Sequence, residues 1–214
     1  MIKLRKGIAL VSTGIDSPVA FYLAYQAGIE LEALYLTHTP HPPMEKLNDI
    51  LKQISLKIAK PVKLHIIDLM ALQTSFFKHS NRSYQCIFCK RAMYRLASAL
   101  ALKKEYDCIV TGENLAQVAS QTLQNLFVIE EASSVPVIRP LLGFDKQEIV
   151  NMAKALGTYE ISIRPEPGCP FLPTSPITRA KLSVITALEL SLNQDELFAE
   201  AISKRETYTI NHAD

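Results

Sequence analysis

The sequence predicts an α/β fold, with an open, mainly parallel five-stranded sheet and helices on both faces. Three observations support this class. Short apolar runs alternate with helical patterns, no Gly/Ser linker or repeat interrupts them, and 48% of the 214 residues are hydrophobic against 21% charged. Such alternation gives right-handed crossovers onto a parallel sheet, in which ligands bind at the carboxyl ends of the strands.

Five short apolar runs predict the strands. Each is rich in aliphatic residues and is bounded by Gly, Pro or polar residues. The runs are residues 7–12, 31–36, 62–67, 107–111 and 135–138. The first of them, Gly7-Ile-Ala-Leu-Val-Ser12, contains no charged side chain, which indicates a strand that is buried on both faces.

Patterns with an apolar face predict helices between the strands. Gly28 ends the helix predicted over residues 18–27, and Pro61 ends the one over residues 44–60. Asp145 caps the helix predicted over residues 146–156, and Gly157 stops it. The predicted helices are residues 18–27, 44–60, 87–104, 115–126 and 146–156, followed by one or two polar-faced helices after residue 178. Residues 158–177 hold five prolines and predict an irregular loop, which at this length is usually functional. We therefore expect one domain over residues 1–178, with a helical extension of it over residues 179–214.

Composition excludes several classes of protein. The formal charge is only +2, from 23 Lys and Arg against 21 Asp and Glu, which excludes a polybasic coat protein and an acidic disordered chain. No apolar run is long enough for a signal peptide or a membrane span. We therefore expect a cytoplasmic protein without a membrane partner, in which the 4 cysteines are reduced.

The turn after the first strand, Ser12-Thr-Gly-Ile-Asp-Ser17-Pro18, has the composition of a phosphate-binding loop. Small residues let its backbone N–H groups converge on an anion together with the N-terminus of the next helix. Taken alone, so short a motif is more often a plain strand–helix turn capped by Ser17.

Further motifs make the pattern more specific. The loop resembles the Ser-Gly-Gly-x-Asp-Ser pyrophosphate loop (PP-loop) of the N-type ATP pyrophosphatases, with Thr13 where that family usually has Gly. From residue 7 to 178 the chain resembles the catalytic domain of the tRNA 4-thiouridine synthetases, or tRNA sulfurtransferases. The motifs that carry this resemblance are Ile15-Asp-Ser-Pro-Val-Ala20, Gly112-Glu-Asn-Leu-Ala-Gln-Val-Ala-Ser-Gln-Thr-Leu123, Pro136-Val-Ile-Arg-Pro-Leu141 and Gly157-Thr-Tyr-Glu-Ile-Ser-Ile-Arg164.

The resemblance implies an adenine nucleotide alpha-hydrolase-like fold with an ATP site built from several segments. Arg91 is expected to approach the phosphates, and Asp16 to act as a catalytic residue beside Mg²⁺. The residues implied in nucleotide binding are Leu10, Val11, Ser12, Gly14, Ile15, Asp16, Ser17, Tyr35, Leu36, Arg91, Gly112 and Gln121. The implied reaction adenylates a uridine of tRNA, releases pyrophosphate and replaces the C4 oxygen by sulfur.

Three cysteines predict a second functional group of residues. Cys86-Ile-Phe-Cys89 has metal-ligand spacing, and Cys169 lies in the proline-rich loop, whereas Cys108 falls in an apolar strand and is predicted to be a core residue. Three thiolates suit a 4Fe-4S cluster with one iron open, or a zinc ion completed by His or water. The resemblance implies that Cys169 delivers sulfur and that the chain belongs to a group with an iron–sulfur cluster. A persulfide on Cys169, resolved by Cys86 or Cys89, is the alternative.

Charge along the chain suggests how RNA is bound. Residues 69–104 contain no Asp or Glu but several Lys and Arg, and Lys78 and Arg82 are candidates for phosphate contacts, although a solvated helix face also accounts for the pattern. The resemblance implies that full-length relatives carry an N-terminal RNA-binding region, and we expect that a strand beginning at Gly7 leaves no room for one. We therefore expect a separate RNA-binding subunit or a homodimer, and sulfide or a cysteine desulfurase as the sulfur donor.

Two other functions fit the same residues. A PP-loop enzyme could thiolate a different base or form an amide, because one fold hosts several reactions. Thr13 in the loop also leaves open a non-catalytic module that binds ATP or a metal.

Overall fold

The computed structural model describes residues 6–39, 41–115 and 119–212. A sheet runs through the centre of the molecule, and its strands lie in the order β5-β4-β1-β2-β3-β6. All neighbouring pairs are parallel except β3 and β6, which are antiparallel. The strands are β1 (Lys6–Val11), β2 (Glu30–Thr37), β3 (Val62–Asp68), β4 (Cys108–Val110), β5 (Val137–Ile138) and β6 (Glu206–Ile210).

Helices cover both faces of the sheet, as the sequence predicts. They are α1 (Asp16–Gln26), α2 (Met44–Ile58), α3 (Met70–His79), α4 (Gln85–Lys103), α5 (Leu123–Glu130), α6 (Lys146–Leu156), α7 (Tyr159–Ser162), α8 (Leu182–Leu192) and α9 (Asp195–Ser203). Successive side chains of β1 enter different cores, because side chains alternate across a strand. Ala9 packs with α1, α2 and α6, whereas Ile8 packs with α3, α4 and α5.

The sheet changes direction next to β1. The chain passes from β1 to β2 and β3 on one side, and then returns to β4 and β5 on the other side. The connections that leave β1 and β4 therefore diverge and open a crevice at their carboxyl ends. The turn after β4 meets the turn after β1 there, because a Cβ on Gly112 would lie 2.7 Å from the backbone N and Cα of Ser17. Only glycine permits this approach.

Four elements differ from the sequence prediction. The loop predicted over residues 158–177 is not irregular throughout, because α7 lies at its start, where Ser162 N donates to Thr158 O at 2.9 Å. The prolines of this segment begin only at Pro165, so the N–H groups before it can form helical hydrogen bonds.

The prediction of one continuous helix over residues 115–126 is wrong for the described residues of that range. A 3₁₀ turn covers Ala119–Gln121. Helix α5 starts at Leu123, because the Thr122 hydroxyl accepts from Asn125 N. Residues 116–118 of that prediction lie outside the described part. The sequence prediction also lacks α3, and it lacks β6, so the sheet has six strands rather than five.

The C-terminal segment contains the helices that the sequence predicts and the strand that it does not. Buried Ile185 of α8 and partly buried Phe198 of α9 join the core formed with α3 and α4. The chain then pairs β6 with the edge of β3, where His65 Nδ1 lies 3.0 Å from Thr207 Oγ1. Within the three described ranges, no helix has both the length and the apolar character required to cross a membrane.

Candidate active site

The phosphate loop, residues 12–17, is held in a tight turn by its own serines. Ser12 N donates to Ser17 Oγ at 2.8 Å, and the two hydroxyl oxygens lie 3.0 Å apart. Gly14 N donates to Ser12 Oγ at 3.3 Å. These bonds fold the loop over the first turn of α1, which no side chain in the described part of the chain caps. Its free N–H groups and the helix dipole form a site for an anion.

The loop opens into a cavity of about 430 Å³ at the carboxyl ends of β1, β2 and β4. All the residues that the sequence implicates in nucleotide binding line this cavity except Arg91. They are Leu10, Val11, Ser12, Gly14, Ile15, Asp16, Ser17, Tyr35, Leu36, Gly112 and Gln121. The structure therefore brings these segments together, while their roles in binding stay a prediction.

Arg91 is directed away from the cavity, which corrects the expectation that it approaches the phosphates. Its side chain is 1% exposed, and it donates to both carboxylate oxygens of Glu189 at 2.8 and 3.0 Å and to Val128 O at 2.5 Å. Arg91 thus joins α4 to α8 and α5. The preceding residue, Lys90, lines the cavity instead and is the cation available to a phosphate there.

A buried carboxylate that the sequence prediction missed holds Lys90 in place. Glu113 follows Gly112 and is 2% exposed, and it accepts from Lys90 Nζ at 3.1 Å and Arg139 Nε at 2.9 Å. The hydroxyls of Tyr94 and Thr111 also donate to it. Burial by itself raises the pKa of this carboxyl, but the two cations and the Tyr94 hydroxyl outweigh it and lower the pKa to about 2. Glu113 is therefore ionised at neutral pH.

Other polar groups of the cavity are available to a ligand. Gln121 is 8% exposed, and its Oε1 atom is buried without a hydrogen-bond partner among the described residues. Burying such an atom unpaired costs free energy, which a ligand donor would recover. Asp16, which also lines the cavity, accepts from Lys146 Nζ at 2.6 Å through Oδ1. Glu166 and Pro167, which precede Cys169, also line the cavity.

The cysteine triplet, Cys86, Cys89 and Cys169, lies beside this cavity. Cys86 and Cys89 occupy the start of α4 and are partly buried, whereas Cys169 is exposed. Burial raises the pKa of the Cys86 thiol, and burial together with the nearby Cys169 raises the pKa of Cys89 to about 12. Across residues 6–39, 41–115 and 119–212, no three His, Cys, Asp or Glu side chains group closely enough to hold a metal ion. Cys108, in contrast, is fully buried in β4, as the sequence predicts.

The fold and the cavity define a class of protein: a nucleotide-binding α/β domain of the PP-loop type. The family described as "Thiamine biosynthesis protein (ThiI)" matches residues 4–194. The chain therefore belongs to this family. A probable tRNA sulfurtransferase from Halothermothrix orenii is 40% identical in an alignment of 214 positions that covers 97% of this chain and 54% of that protein. The chain thus spans about half the length of such relatives.

One solved structure agrees with this assignment, and a second shares the fold. A crystal structure of a 4-thiouridine synthetase–RNA complex with bound ATP has a TM-score of 0.92 and 40% identity, and the match covers 97% of this chain and 55% of that chain. The U34-tRNA thiolase NcsA from Methanococcus maripaludis, solved with its [4Fe-4S] cluster, has a TM-score of 0.50 and 14% identity, over 95% of this chain and 70% of that one. The second likeness shows a shared fold alone.

Proposed function

We propose that this chain carries the catalytic domain of an ATP-dependent tRNA sulfurtransferase, which converts a uridine into 4-thiouridine. One observation carries the proposal: the phosphate loop and Glu166 and Pro167, which lead into Cys169, line the same cavity. A nucleotide bound in this cavity would lie close to an exposed thiol. The relatives named tRNA sulfurtransferase and the ATP-bound 4-thiouridine synthetase support the same reaction.

The reaction has two steps. The C4 oxygen of uridine attacks the α-phosphorus of ATP, pyrophosphate leaves, and N3 of the base loses its proton. Hydrogen sulfide then attacks C4, AMP leaves with the former oxygen, and the thiol proton returns to N3. The hydrogen sulfide is supplied directly, or is released from the persulfide of a cysteine desulfurase by an external thiol that is oxidised to a disulfide. The phosphate loop, the α1 N-terminus and Lys90 would stabilise the negative charge of the phosphates. Mg²⁺ is expected on the polyphosphate, with Asp16 as its protein carboxylate.

The cysteine triplet is our candidate for handling sulfur, with a 4Fe-4S cluster as its cofactor. Three thiolates are the donors that such a cluster prefers, and the distant fold neighbour NcsA contains one. When bound, the cluster would supply an iron without a protein ligand, to which sulfide can bind. The three thiols do not form a ligand set in the present arrangement, so we assign no step to the cluster.

Visible absorption and iron content after anaerobic purification test this cofactor. We expect a brown protein that contains iron and sulfide. A colourless, iron-free protein that still thiolates tRNA would exclude the cluster and favour a persulfide on Cys169.

The tRNA is proposed to bind beside the cysteine triplet. Arg82 stacks on Phe77 with its guanidinium carbon 4.2 Å from the ring centroid, and Phe77 packs against Phe171, two residues after Cys169. A cation and an aromatic ring at this position suit RNA phosphates and bases. A separate RNA-binding subunit or a second copy of the chain would supply further contacts. We assign the reaction to the cytoplasm, where thiols stay reduced.

The decisive experiment is nucleoside analysis of unmodified tRNA incubated anaerobically with the protein, ATP, Mg²⁺ and sulfide. We expect 4-thiouridine by mass spectrometry and one pyrophosphate per modified base. Cys169→Ala should abolish thiolation but keep ATP binding, and Cys108→Ala is the matched control that should keep both. Pyrophosphate release without 4-thiouridine would indicate a different PP-loop reaction, and no release at all would indicate a non-catalytic module.

A further inference from the structure

The segment before Cys169 is bonded to the phosphate loop at two positions. Ser162 Oγ donates to Gly14 O at 3.3 Å. Glu166 lies four residues after Ser162. The Thr13 hydroxyl donates to the two carboxylate oxygens of Glu166, at 3.0 and 2.7 Å. Thr13 stands where the PP-loop pattern usually has glycine, so the second contact depends on a side chain that a glycine would lack.

A lysine from a third element completes this contact. Lys46 of α2 has a side chain only 8% exposed, and its Nζ atom donates to Glu166 Oε2 at 3.2 Å and to Arg164 O at 2.8 Å. The Glu166 side chain is 35% exposed and faces the cavity. Hydrogen bonds to an ionised carboxylate are stronger than neutral ones, so Glu166 is well held when the cavity contains no anion.

Cys169 lies in a short stretch of chain between the Glu166 contact and a hydrophobic contact made by Phe171. We call residues 167–170 the cysteine loop. A Cβ on Gly168 would meet no atom within 4 Å, and Cys169 is exposed, so the loop has open space around it. The chain is held again at Phe171, which is 8% exposed and contacts Phe77 with ring centroids 5.7 Å apart. Glu166 therefore fixes one end of the cysteine loop and Phe171 fixes the other.

The groups that hold Glu166 are also groups that bind phosphate. A lysine ammonium, a hydroxyl and backbone N–H groups are the usual donors to phosphate oxygens. A polyphosphate on the loop would compete for the Thr13 hydroxyl and would repel the Glu166 carboxylate, and both of these groups line the same cavity. ATP binding and the Glu166 contact therefore oppose each other.

We propose that Glu166 is a positioning residue that holds the cysteine loop against the phosphate loop through Thr13 and Lys46, and that the polyphosphate of ATP releases it. Cys169 then becomes free to move when nucleotide is bound, so the thiol engages after the phosphate loop is occupied. The inference rests on the proposed function in one respect, namely that the cavity binds ATP.

The rate of amide hydrogen exchange at Leu172, whose N–H donates to Cys169 O at 3.3 Å, tests this proposal and is measured by peptide mass spectrometry. Alkylation of Cys169 would not test it, because this side chain is exposed before nucleotide binds. An α,β-methylene analogue of ATP should raise the exchange rate in the wild-type protein by about tenfold, the factor expected for loss of a hydrogen bond to a charged group. Thr13→Val should raise the rate to a similar extent without nucleotide and leave little further response. Thr13→Ser, which keeps the hydroxyl, should behave as the wild type.

Controls separate the possible outcomes. Thr207→Val removes a hydroxyl that lies 3.0 Å from His65 Nδ1 in the β3–β6 pair, away from the cysteine loop, and should leave the exchange rate at Leu172 unchanged. Calorimetry of the analogue measures binding separately. Failure of the analogue to bind would contradict the proposed function, while the nucleotide-free Thr13→Val comparison would still test the contact. A rate that does not change in Thr13→Val, or that falls when the analogue binds, would overturn the inference.

Discussion

Replacing Glu113 by Gln should destabilise the protein far more than an isosteric change usually does. The substitution keeps the shape of the side chain but removes the charge that faces Lys90 and Arg139. It also places an amide donor among groups that donate. Removing one partner of a buried ion pair typically costs about 3–5 kcal/mol, because the remaining charge stays buried without compensation.

The pKa of Glu113 gives a second measure of the same quantity. The carboxyl has an ordinary pKa of 4.5 and a folded-state pKa of about 2, so folding favours its ionised form. A shift of this size contributes about 3 kcal/mol to the free energy of unfolding. Because the folded pKa is the lower one, this contribution is complete above pH 4.5 and is lost as the pH falls toward 2. This contribution of about 3 kcal/mol lies at the lower end of the typical cost of removing one partner of a buried ion pair.

Urea unfolding at pH 7 and at pH 3, followed by circular dichroism, measures the effect. Glu113→Gln should lower the free energy of unfolding by about 3 kcal/mol at pH 7 and by less at pH 3. Glu130→Gln is the matched control: Glu130 accepts from the same Arg139 at 2.6 Å but is 51% exposed, so its loss should cost less than about 1 kcal/mol. Equal effects of the two substitutions would refute the assignment of Glu113 as the central carboxylate.

Two further predictions concern the nucleotide cavity. Lys90→Gln should weaken ATP binding by about tenfold in calorimetry, because it removes a charged phosphate contact. Arg91→Gln should leave the affinity for ATP within about twofold and should reduce stability through the loss of its pair with Glu189. The reverse pattern would contradict the observed direction of Arg91. Gly112→Ala should lower the free energy of unfolding by about 1–3 kcal/mol and weaken ATP binding, because the added methyl group meets the phosphate-loop backbone at 2.7 Å. Gly143→Ala, where nothing lies within 4 Å, should change neither quantity, and an equal effect of both alanines would contradict the close approach.

Much of the fold could be predicted because its signals are local. The helix over residues 146–156 matches α6, which Asp145 and Glu148 cap reciprocally and Gly157 ends in a left-handed conformation. Helix α3 also carries a local signal, since Leu69, Leu72 and Phe76 recur at helical spacing and are buried. Strand β6 carries none, because its side chains are largely exposed and its pairing partner β3 is remote in sequence.

The part of the site that a single turn of the chain forms could be predicted from the sequence. The phosphate loop closes on itself through Ser12 and Ser17, so its sequence is sufficient to place it. The orientation of Arg91 depends instead on Glu189, 98 residues away, and helical geometry turns adjacent residues such as Lys90 in different directions. Glu166 likewise depends on a contact with the distant phosphate loop. No local pattern specifies such tertiary partners.

The pairing of β6 with β3 also affects how the chain is made. His65 and Thr207 are 142 residues apart, so the ribosome synthesises α3 to α9 before β3 receives its second neighbour. Until then one side of β3 has unpaired N–H and C=O groups, which are a template for association with other chains. The other side of the sheet ends in β5, which has only two residues and offers little such surface. Protection of the nascent sheet from aggregation therefore depends on the five residues of β6.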